Sequence, residues 1–278
     1  MFPEEVAKPI GAAVCLALLW SVESLAPMFK GRQQRLRHDL ANVMLGVFNA
    51  VVASGIFAGA TLAVTTWSGA RGYGLLHQLS LPTGLHLAAA VLLFDAWQYL
   101  WHRLNHRIPF LWRFHAVHHS DADLDASTGL RFHTGEILFS SIARLGVLPV
   151  LGLTIQELLV YETILLPVIL FHHSNIRISE RLDRWMRAVV VTPRMHWVHH
   201  SDWRPETDSN YASIFSFWDR IFGSFRLRQD ARTLRLGLGL PDREWRRMRG
   251  ILSMPRKLIA SEGTPAQGAA GSGQEAGP

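Results

Sequence analysis

The chain of 278 residues is poor in cysteine and in charged residues. Its one cysteine, Cys15, excludes an internal disulfide and leaves no thiolate cluster for zinc or an iron–sulfur centre. Charged residues make up 18% of the sequence, and long apolar blocks contain very few of them. With 49% hydrophobic residues and a mean hydropathy of +0.12, this distribution is typical of a membrane protein rather than of a soluble globular one.

The net charge of +6 is the one feature that could indicate a nucleic-acid partner. The basic residues, however, flank the apolar blocks, as in "KGRQQRLR" at 30–37 and "REWRRMR" at 243–249. This placement favours contact with the cytoplasmic face of a membrane. We therefore expect no nucleic-acid partner.

Four apolar blocks predict helices in the membrane, and they cover residues 9–29, 40–67, 83–101 and 137–171. The first follows the acidic start "MFPEEVAK", which favours an uncleaved span over a signal peptide. The last is too long for one span and contains Pro149 and Pro167, so it predicts two short helices in a hairpin. The expected fold is an all-α membrane bundle of about four spans, the last pair forming a re-entrant hairpin.

The distribution of charge predicts the orientation of the chain. The positive-inside rule places the loop at 30–38 in the cytoplasm and the loop at 68–82 outside. A hairpin in the fourth block then keeps the segments after the third and fourth blocks on the cytoplasmic side together. Residues 172–260 are polar and predict a helical cytoplasmic cap, so that 1–260 form one domain. The tail at 261–278 is predicted to be disordered, because it has too few apolar residues to fold.

Eight of the 14 histidines form three clusters: "HRLNH" at 102–106, "HAVHH" at 115–119 and "HWVHH" at 196–200. Residues three and four apart share one face of a helix, so each cluster can direct several imidazoles to one place. Eight imidazoles are too many for one tetrahedral zinc ion, and they predict two metal ions with open positions. His38, His77 and His86 lie outside the clusters and are predicted to be structural.

The identity of the metal separates three functional classes. Imidazole binds zinc, copper, iron and nickel, so ligand type alone does not decide. A zinc-dependent lipid hydrolase usually has a Glu beside its ligand, whereas Arg103 follows His102 here. A membrane metal-binding or transport protein would place its histidines within the spans, whereas these clusters follow them. Both classes remain alternatives to a redox enzyme with non-haem iron.

The clusters stand in the motifs "DAWQYLWHRLNH", "WRFHAVHHS", "GLRFHTGE", "FHHSN", "PRMHWVHHS" and "SNYASIFSFWDRIFGSF", in that order across 95–225. In this respect the chain resembles the fatty acid hydroxylase/sterol desaturase superfamily. The resemblance implies an O2-dependent di-iron oxidoreductase that hydroxylates or desaturates a C–H bond of a lipid, such as a fatty acyl chain, sterol or ether lipid. It implies two Fe²⁺ ions, with zinc in recombinant material, and a separate cytochrome- or ferredoxin-type electron donor. The expected location is the bacterial inner membrane, with the site facing the cytoplasm.

The resemblance also implies which residues bind the metals. The expected ligands are His102, His106, His115, His118, His119, His173, His196, His199 and His200. His172, beside His173 in the motif "FHHSN", is not expected to be a ligand. Candidates for a further ligand, or for a partner of a ligand imidazole, are His133, Asp95, Asn210 and Glu136. The remaining acids near the clusters are predicted to be solvated surface groups: Asp121, Asp202, Asp208 and Asp219.

Overall fold

The computed structural model describes residues 4–31, 34–239 and 250–255. Within these ranges the regular structure is helical, with isolated β-bridges and no strand, which confirms the all-α prediction. The predicted disordered tail at 261–278 and the basic run at 243–249 lie outside the described residues.

Ten α-helices follow one another between residues 4 and 239, and residues 250–255 are also helical. They are α1 (Glu4–Leu25), α2 (Arg35–Arg71), α3 (Thr83–Arg107), α4 (Pro109–His119), α5 (Thr134–Leu151), α6 (Ile155–His173), α7 (Glu180–Met186), α8 (Pro193–His199), α9 (Arg204–Thr207) and α10 (Phe217–Ile221). Short 3₁₀ turns at Leu76–Gln78, Ala126–Leu130 and Ala231–Thr233 connect them.

Three helical segments are long and apolar enough to cross a membrane. They are Arg35–Gln78, which contains α2, and the helices α5 and α6. The apolar part of α1, Ile10–Leu25, is shorter, and α3 is not among the three. The membrane bundle is thus confirmed, and its three apolar spans correspond to the second and fourth of the expected blocks but not to the first and third. The difference in α3 follows from its sequence, because Asp95 lies at its centre and the polar run "HRLNHR" ends it.

The hairpin of α5 and α6 brings the chain back to the end at which the histidines lie. Its turn at 152–154 contacts the loop after α2, where the Leu75 amide donates to the Val150 carbonyl at 3.0 Å. His86, in the first turn of α3, hydrogen-bonds Glu157 near the start of α6 at 2.7 Å. The turn of the hairpin therefore lies level with the start of α3. Consequently the segments after α3 and after α6 lie at the opposite end of the bundle, as predicted.

Asp95 connects the bundle to the cap. Its buried carboxylate accepts hydrogen bonds from Tyr161 Oη at 2.8 Å and Trp218 Nε1 at 3.0 Å. It also accepts from the amides of Ile214 at 3.2 Å and Phe215 at 3.0 Å. A buried carboxylate is tolerated only when such donors replace water. Asp95 thereby fixes the 211–216 segment of the cap against α3 and α6.

Gly74, in the loop after α2, packs closely against the backbone of Gly152 at the turn of the hairpin. Its φ is +113°, and a Cβ at this position would lie 2.5 Å from the backbone of Gly152. We expect Gly74→Ala to destabilise the fold, since strain of this kind costs on the order of 1–3 kcal/mol. Thermal unfolding in detergent micelles measures the change.

Gly69→Ala is the matched control for this prediction. Gly69 lies in α2, and a Cβ there would meet no atom within 4 Å. Alanine also favours a helix more than glycine does, by up to about 1 kcal/mol. We expect the melting temperature of this variant to be unchanged or higher, and equal melting of the two variants would contradict the contact.

Candidate metal centre

The described residues bring nine histidines together in two adjacent groups. The donor atoms within each group lie within 4.8 Å of one another. The first group contains five residues, namely His102, His106, His115, His119 and His199, and the second contains His118, His173, His196 and His200. These are the nine histidines expected from the sequence to be ligands.

The two copies of His-x-x-His-His contribute to both groups, which the sequence analysis did not anticipate. In α4, His115 and His119 join the first group while His118 joins the second. In α8 the assignment is reversed, because the residues four apart, His196 and His200, join the second group. Positions i+3 and i+4 lie on either side of position i around the helix axis. Each copy therefore contributes imidazoles to both histidine groups, rather than directing all of them to one place.

Backbone carbonyls determine the tautomer of several of these imidazoles. His102 Nδ1 lies 2.8 Å from the Tyr211 carbonyl, and His199 Nδ1 lies 2.6 Å from the Ser209 carbonyl. In the second group, His173 Nδ1 lies 2.8 Å from the Ile169 carbonyl. A carbonyl oxygen can only accept, so Nδ1 carries the proton in each case. The Nε2 atom of the neutral ring then presents a lone pair.

The Nε2 atoms of each group point at one another. His102 Nε2 lies 3.1 Å from His115 Nε2 and 3.0 Å from His199 Nε2. In the second group, His173 Nε2 lies 3.0 Å from His118 Nε2 and 2.9 Å from His196 Nε2. Facing lone pairs repel unless a cation lies between them. Nitrogens about 2.1 Å from a shared ion and at right angles are about 3.0 Å apart, so both donor sets fit a metal ion.

Two carboxylates hold imidazoles of the first group. Glu136 Oε1 accepts from His115 Nδ1 at 2.7 Å, so this candidate lies where it can orient a ligand ring. Asp208 Oδ1 lies 3.2 Å from His106 Nδ1. The sequence analysis missed Asp208, which it placed among the solvated acids. No local spacing could have identified this residue, because the contact joins positions 102 residues apart.

The other candidates lie outside both groups. His133 is the N-cap of α5 and accepts from the Gly135 amide at 2.9 Å. Asn210 has a φ of +52° and donates to the carbonyls of Met195 at 2.9 Å and Arg226 at 2.7 Å. Asn210 therefore supports α8 by binding its backbone. Asp95 likewise binds backbone amides, those of Ile214 and Phe215, rather than an imidazole. His172 packs on the His196 ring at 4.1 Å between centroids without joining a group.

Two acids predicted to be at the surface are buried: Asp219 within the cap, and Asp121 against the start of α2. Asp219 accepts from the amides of Tyr211 at 2.7 Å and Ala212 at 3.1 Å, and burial raises its pKa to about 6. Asp121 lies 2.9 Å from His38 Nε2. Burial opposes the ionisation of Asp121, but the charge of His38 outweighs it and holds the pKa of Asp121 well below its usual range. Asp202 stays near the surface and pairs with Arg235 at 3.1 Å.

A cavity of about 200 Å³ adjoins both histidine groups. Trp101, Phe132 and Ile169 give it aromatic and aliphatic walls, and it extends along α5 from Glu136 to Arg144. Eight residues of helix correspond to about 12 Å. Arg144 pairs with Glu162 of α6 at 2.7 Å, so an ion pair lies near the end of the cavity that is remote from the histidines.

These features define a class: a helical membrane protein with a two-part, all-histidine site next to an elongated cavity. Residues 87–224, about half of the chain, match the sequence profile of the fatty acid hydroxylase family, described as "Fatty acid hydroxylase". The chain belongs to the fatty acid hydroxylase/sterol desaturase superfamily.

Several characterised proteins are similar to this chain. Ornithine lipid hydroxylase OlsE of Rhizobium tropici is 28% identical over 218 residues, which cover 76% of this chain and 64% of that protein. Human alkylglycerol monooxygenase is 30% identical over 141 residues, covering 49% of this chain and 29% of that protein. Human cholesterol 25-hydroxylase is 29% identical over 153 residues, covering 51% of each chain. The chain thus spans less than two thirds of the length of these relatives. No solved structure matches.

Adjacent histidines in α6 provide a test of the ligand assignment. We expect His173→Ala to lower the metal content per chain, since it removes one of the four donors of the second group. His172→Ala, a control of equal size and burial, should retain the metal content of the parent protein. Elemental analysis of protein purified in detergent measures both. Equal metal loss in the two variants would refute the assignment.

The site should also be sensitive to acid. Burial, and after it the neighbouring imidazoles, lower the pKa of His119, His199 and His200 well below its ordinary value. The unfolded chain therefore binds protons first, at about pH 6.5, and the stability present above that pH is lost as the pH falls. Protons also compete with metal for the same nitrogens. We expect metal content and melting temperature to fall together as the pH is lowered from about 7.5 to about 5. This range extends roughly one unit above and one and a half units below the ordinary histidine pKa of about 6.5. A site that kept its metal at pH 5 would contradict this.

Proposed function

We propose that this protein is a membrane-bound, O2-dependent di-iron oxidoreductase that hydroxylates a C–H bond of a lipid. The observation that carries the proposal is the convergence of two all-imidazole donor sets beside one cavity. The similar proteins support it, because their names describe hydroxylases or monooxygenases acting on an ornithine lipid, alkylglycerol or cholesterol.

Iron fits the donor sets and the proposed chemistry. Imidazole binds iron as well as zinc and copper, and Cys15 lies in α1, outside both groups. Sets of five and four nitrogens leave room for O2 or water at an ion that accepts six ligands. Two iron ions, when bound, would supply the activation of O2 and the oxidation of the C–H bond.

The residues of the chain supply orientation, burial and proton positions. Carbonyls hold the protons of His102, His199 and His173 on Nδ1, which keeps each Nε2 available as a donor. Carboxylates do the same for His115 and His106, and they place negative charge beside the ligands of cations. Burial of eight of the nine histidines limits the access of water to the site.

Hydroxylation also needs electrons. One O2, two electrons and two protons convert R–H to R–OH and water, and we propose that a separate cytochrome- or ferredoxin-type reductase system supplies the electrons. The cap that covers the histidines is the surface available to such a donor. We propose the bacterial inner membrane as the location, with the cap in the cytoplasm, because the basic start of α2 lies at the same end as the histidines, where His38 contacts Asp121 at 2.9 Å.

Comparison of cell lipids tests the proposal. Cells that make the protein should contain a lipid heavier by one oxygen, whereas a lipid lighter by two hydrogens would identify a desaturase instead. We expect His118→Ala to abolish the product, because His118 lies in the second histidine group. Mass spectrometry of total lipid extracts, with iron analysis of the purified protein, measures both.

His86→Gln is the control for this experiment. His86 lies in the same bundle but contacts Glu157 at the far end of α3, and glutamine keeps a hydrogen-bonding side chain there. This variant should retain the product. Product made by membrane-inserted His118→Ala, or stoichiometric zinc without O2 consumption in protein from its native host, would refute the proposal.

A further inference from the structure

Helices α7 and α10, with the residues that directly follow them, carry large apolar side chains on the outside of the cap. Their exposed fractions run from 48% for Phe222 to 74% for Trp185. We call these residues the apolar edge, and they are Leu182, Trp185, Val189, Ile221 and Phe222. The inner sides of the two helices are packed instead, since Asp183 of α7 and Asp219 of α10 are fully buried. An exposed apolar surface made of several large side chains indicates a partner.

Hydrogen bonds join the two halves of the apolar edge. The Ser216 amide donates to the Val189 carbonyl at 3.0 Å, so the chain after α7 runs beside the chain that leads into α10. Within α10, Arg220 Nη2 donates to the Arg187 carbonyl at 2.8 Å. The apolar edge is therefore a single surface, and its two helices are fixed relative to each other.

Contacts with α3 and α6 give the depth of this surface along the bundle. The Phe215 amide, two residues before α10, donates to Asp95 at 3.0 Å, and Asp95 lies seven residues, or about 10 Å, before His102 in α3. The same carboxylate accepts from Tyr161, at the seventh position of the 19-residue helix α6. Helix α6 is apolar enough to cross a membrane, and its length of about 28 Å matches a hydrocarbon core of about 30 Å. The start of α10 thus lies beside the membrane-crossing part of the bundle and not beyond its end.

The apolar edge also continues an outward-facing surface of the bundle. The Phe222 ring stacks on the Tyr99 ring of α3, with 5.1 Å between centroids. The next residue of α3, Leu100, points outward and is exposed. A leucine on the outside of a membrane bundle contacts lipid, so the lipid-facing surface of α3 extends directly onto the apolar edge.

We propose that the apolar edge is immersed in the lipid leaflet next to the cap, so that this side of the cap is bound to the membrane. The exposed Arg181 and Arg184 of α7 fit this position, since an arginine buries its apolar stem and extends its charge to the headgroups. Anionic headgroups complement these charges, whereas a second copy of the chain would bring like charges together. The inference goes beyond the proposed function and requires no catalytic activity.

Fluorescence quenching tests this placement. Cys15→Ser removes the one native cysteine, and Trp185→Cys then takes an NBD maleimide label at the apolar edge. The metal-loaded protein in nanodiscs of phosphatidylcholine and phosphatidylglycerol is quenched either by lipid with a doxyl group on its acyl chain or by iodide in the water. We expect the ratio of doxyl to iodide quenching to exceed that of a control position about fivefold, since the apolar face of an interfacial helix enters the bilayer by about 5–10 Å.

Trp203→Cys in the same background is the matched control position. Trp203 is another half-exposed tryptophan of the cap, but its neighbour Arg204 donates to the His106 carbonyl at 3.1 Å. His106 lies beyond His102, about 16 Å past Asp95 along α3, so Trp203 is on the side of the cap remote from the bundle. A label there should be quenched by iodide and hardly at all by the doxyl lipid.

Ile221→Cys in the same background repeats the measurement on α10, and retention of the parent's metal content shows that a labelled variant is folded. Iodide quenching equal to that of the Trp203→Cys label would place the apolar edge in water. Protection from both quenchers would place protein against it, from a second copy or from another part of the chain. Either result, or disagreement between the two positions, overturns the inference. Because no turnover is measured, such a failure leaves the oxidoreductase untouched, and a failure to oxidise lipid leaves the apolar edge untouched.

Discussion

The arrangement of the cap and of the adjoining helix ends depends on the repulsion between imidazole lone pairs. Nitrogens that carry no proton face each other at about 3 Å in both groups. Protonation is disfavoured there, because burial lowers the pKa of rings in both groups, such as His118 and His199. A divalent cation converts each set of repulsions into a set of bonds. Metal binding and folding of the cap are therefore coupled, in the sense that the free energy of one contributes to the other.

The rest of the fold keeps this arrangement in place. The bundle ends in rigid helices, and the hairpin of α5 and α6 returns His173 to the level of His102. The cap at the histidine end of the bundle has only short helices, α7 to α10. Polar contacts hold these helices and their loops in place. Asp95 and Asn210 are the main examples, since each satisfies several backbone groups of loops that carry ligands or their partners. Such contacts position a metal site without touching it.

The sequence predicted which histidines come together better than it predicted their arrangement. Helical spacing and the resemblance identified the nine histidines, because ligand type and local periodicity are properties of short segments. Their division between two groups depends on how α4 and α8 face each other, which is a tertiary property. The same limit explains Asp208, whose contact spans distant segments, and Asp219, which looked like a surface acid until the cap buried it. The length of the apolar blocks likewise predicted the hairpin. It also predicted that α3 is an apolar span, whereas polar residues of α3 such as Asp95 form hydrogen bonds inside the bundle.

The division of each His-x-x-His-His copy has a consequence for assembly. Both α4 and α8 hold donors of both histidine groups, so an ion bound in either group would fix the axial rotation of two helices that the other group also needs. The first ion thus removes conformational freedom that the second would otherwise have to restrict, and the second binds to a more ordered site. Loading should be cooperative, with few molecules that contain a single ion. A centre whose redox chemistry needs a pair of metals would then rarely exist in a half-filled form.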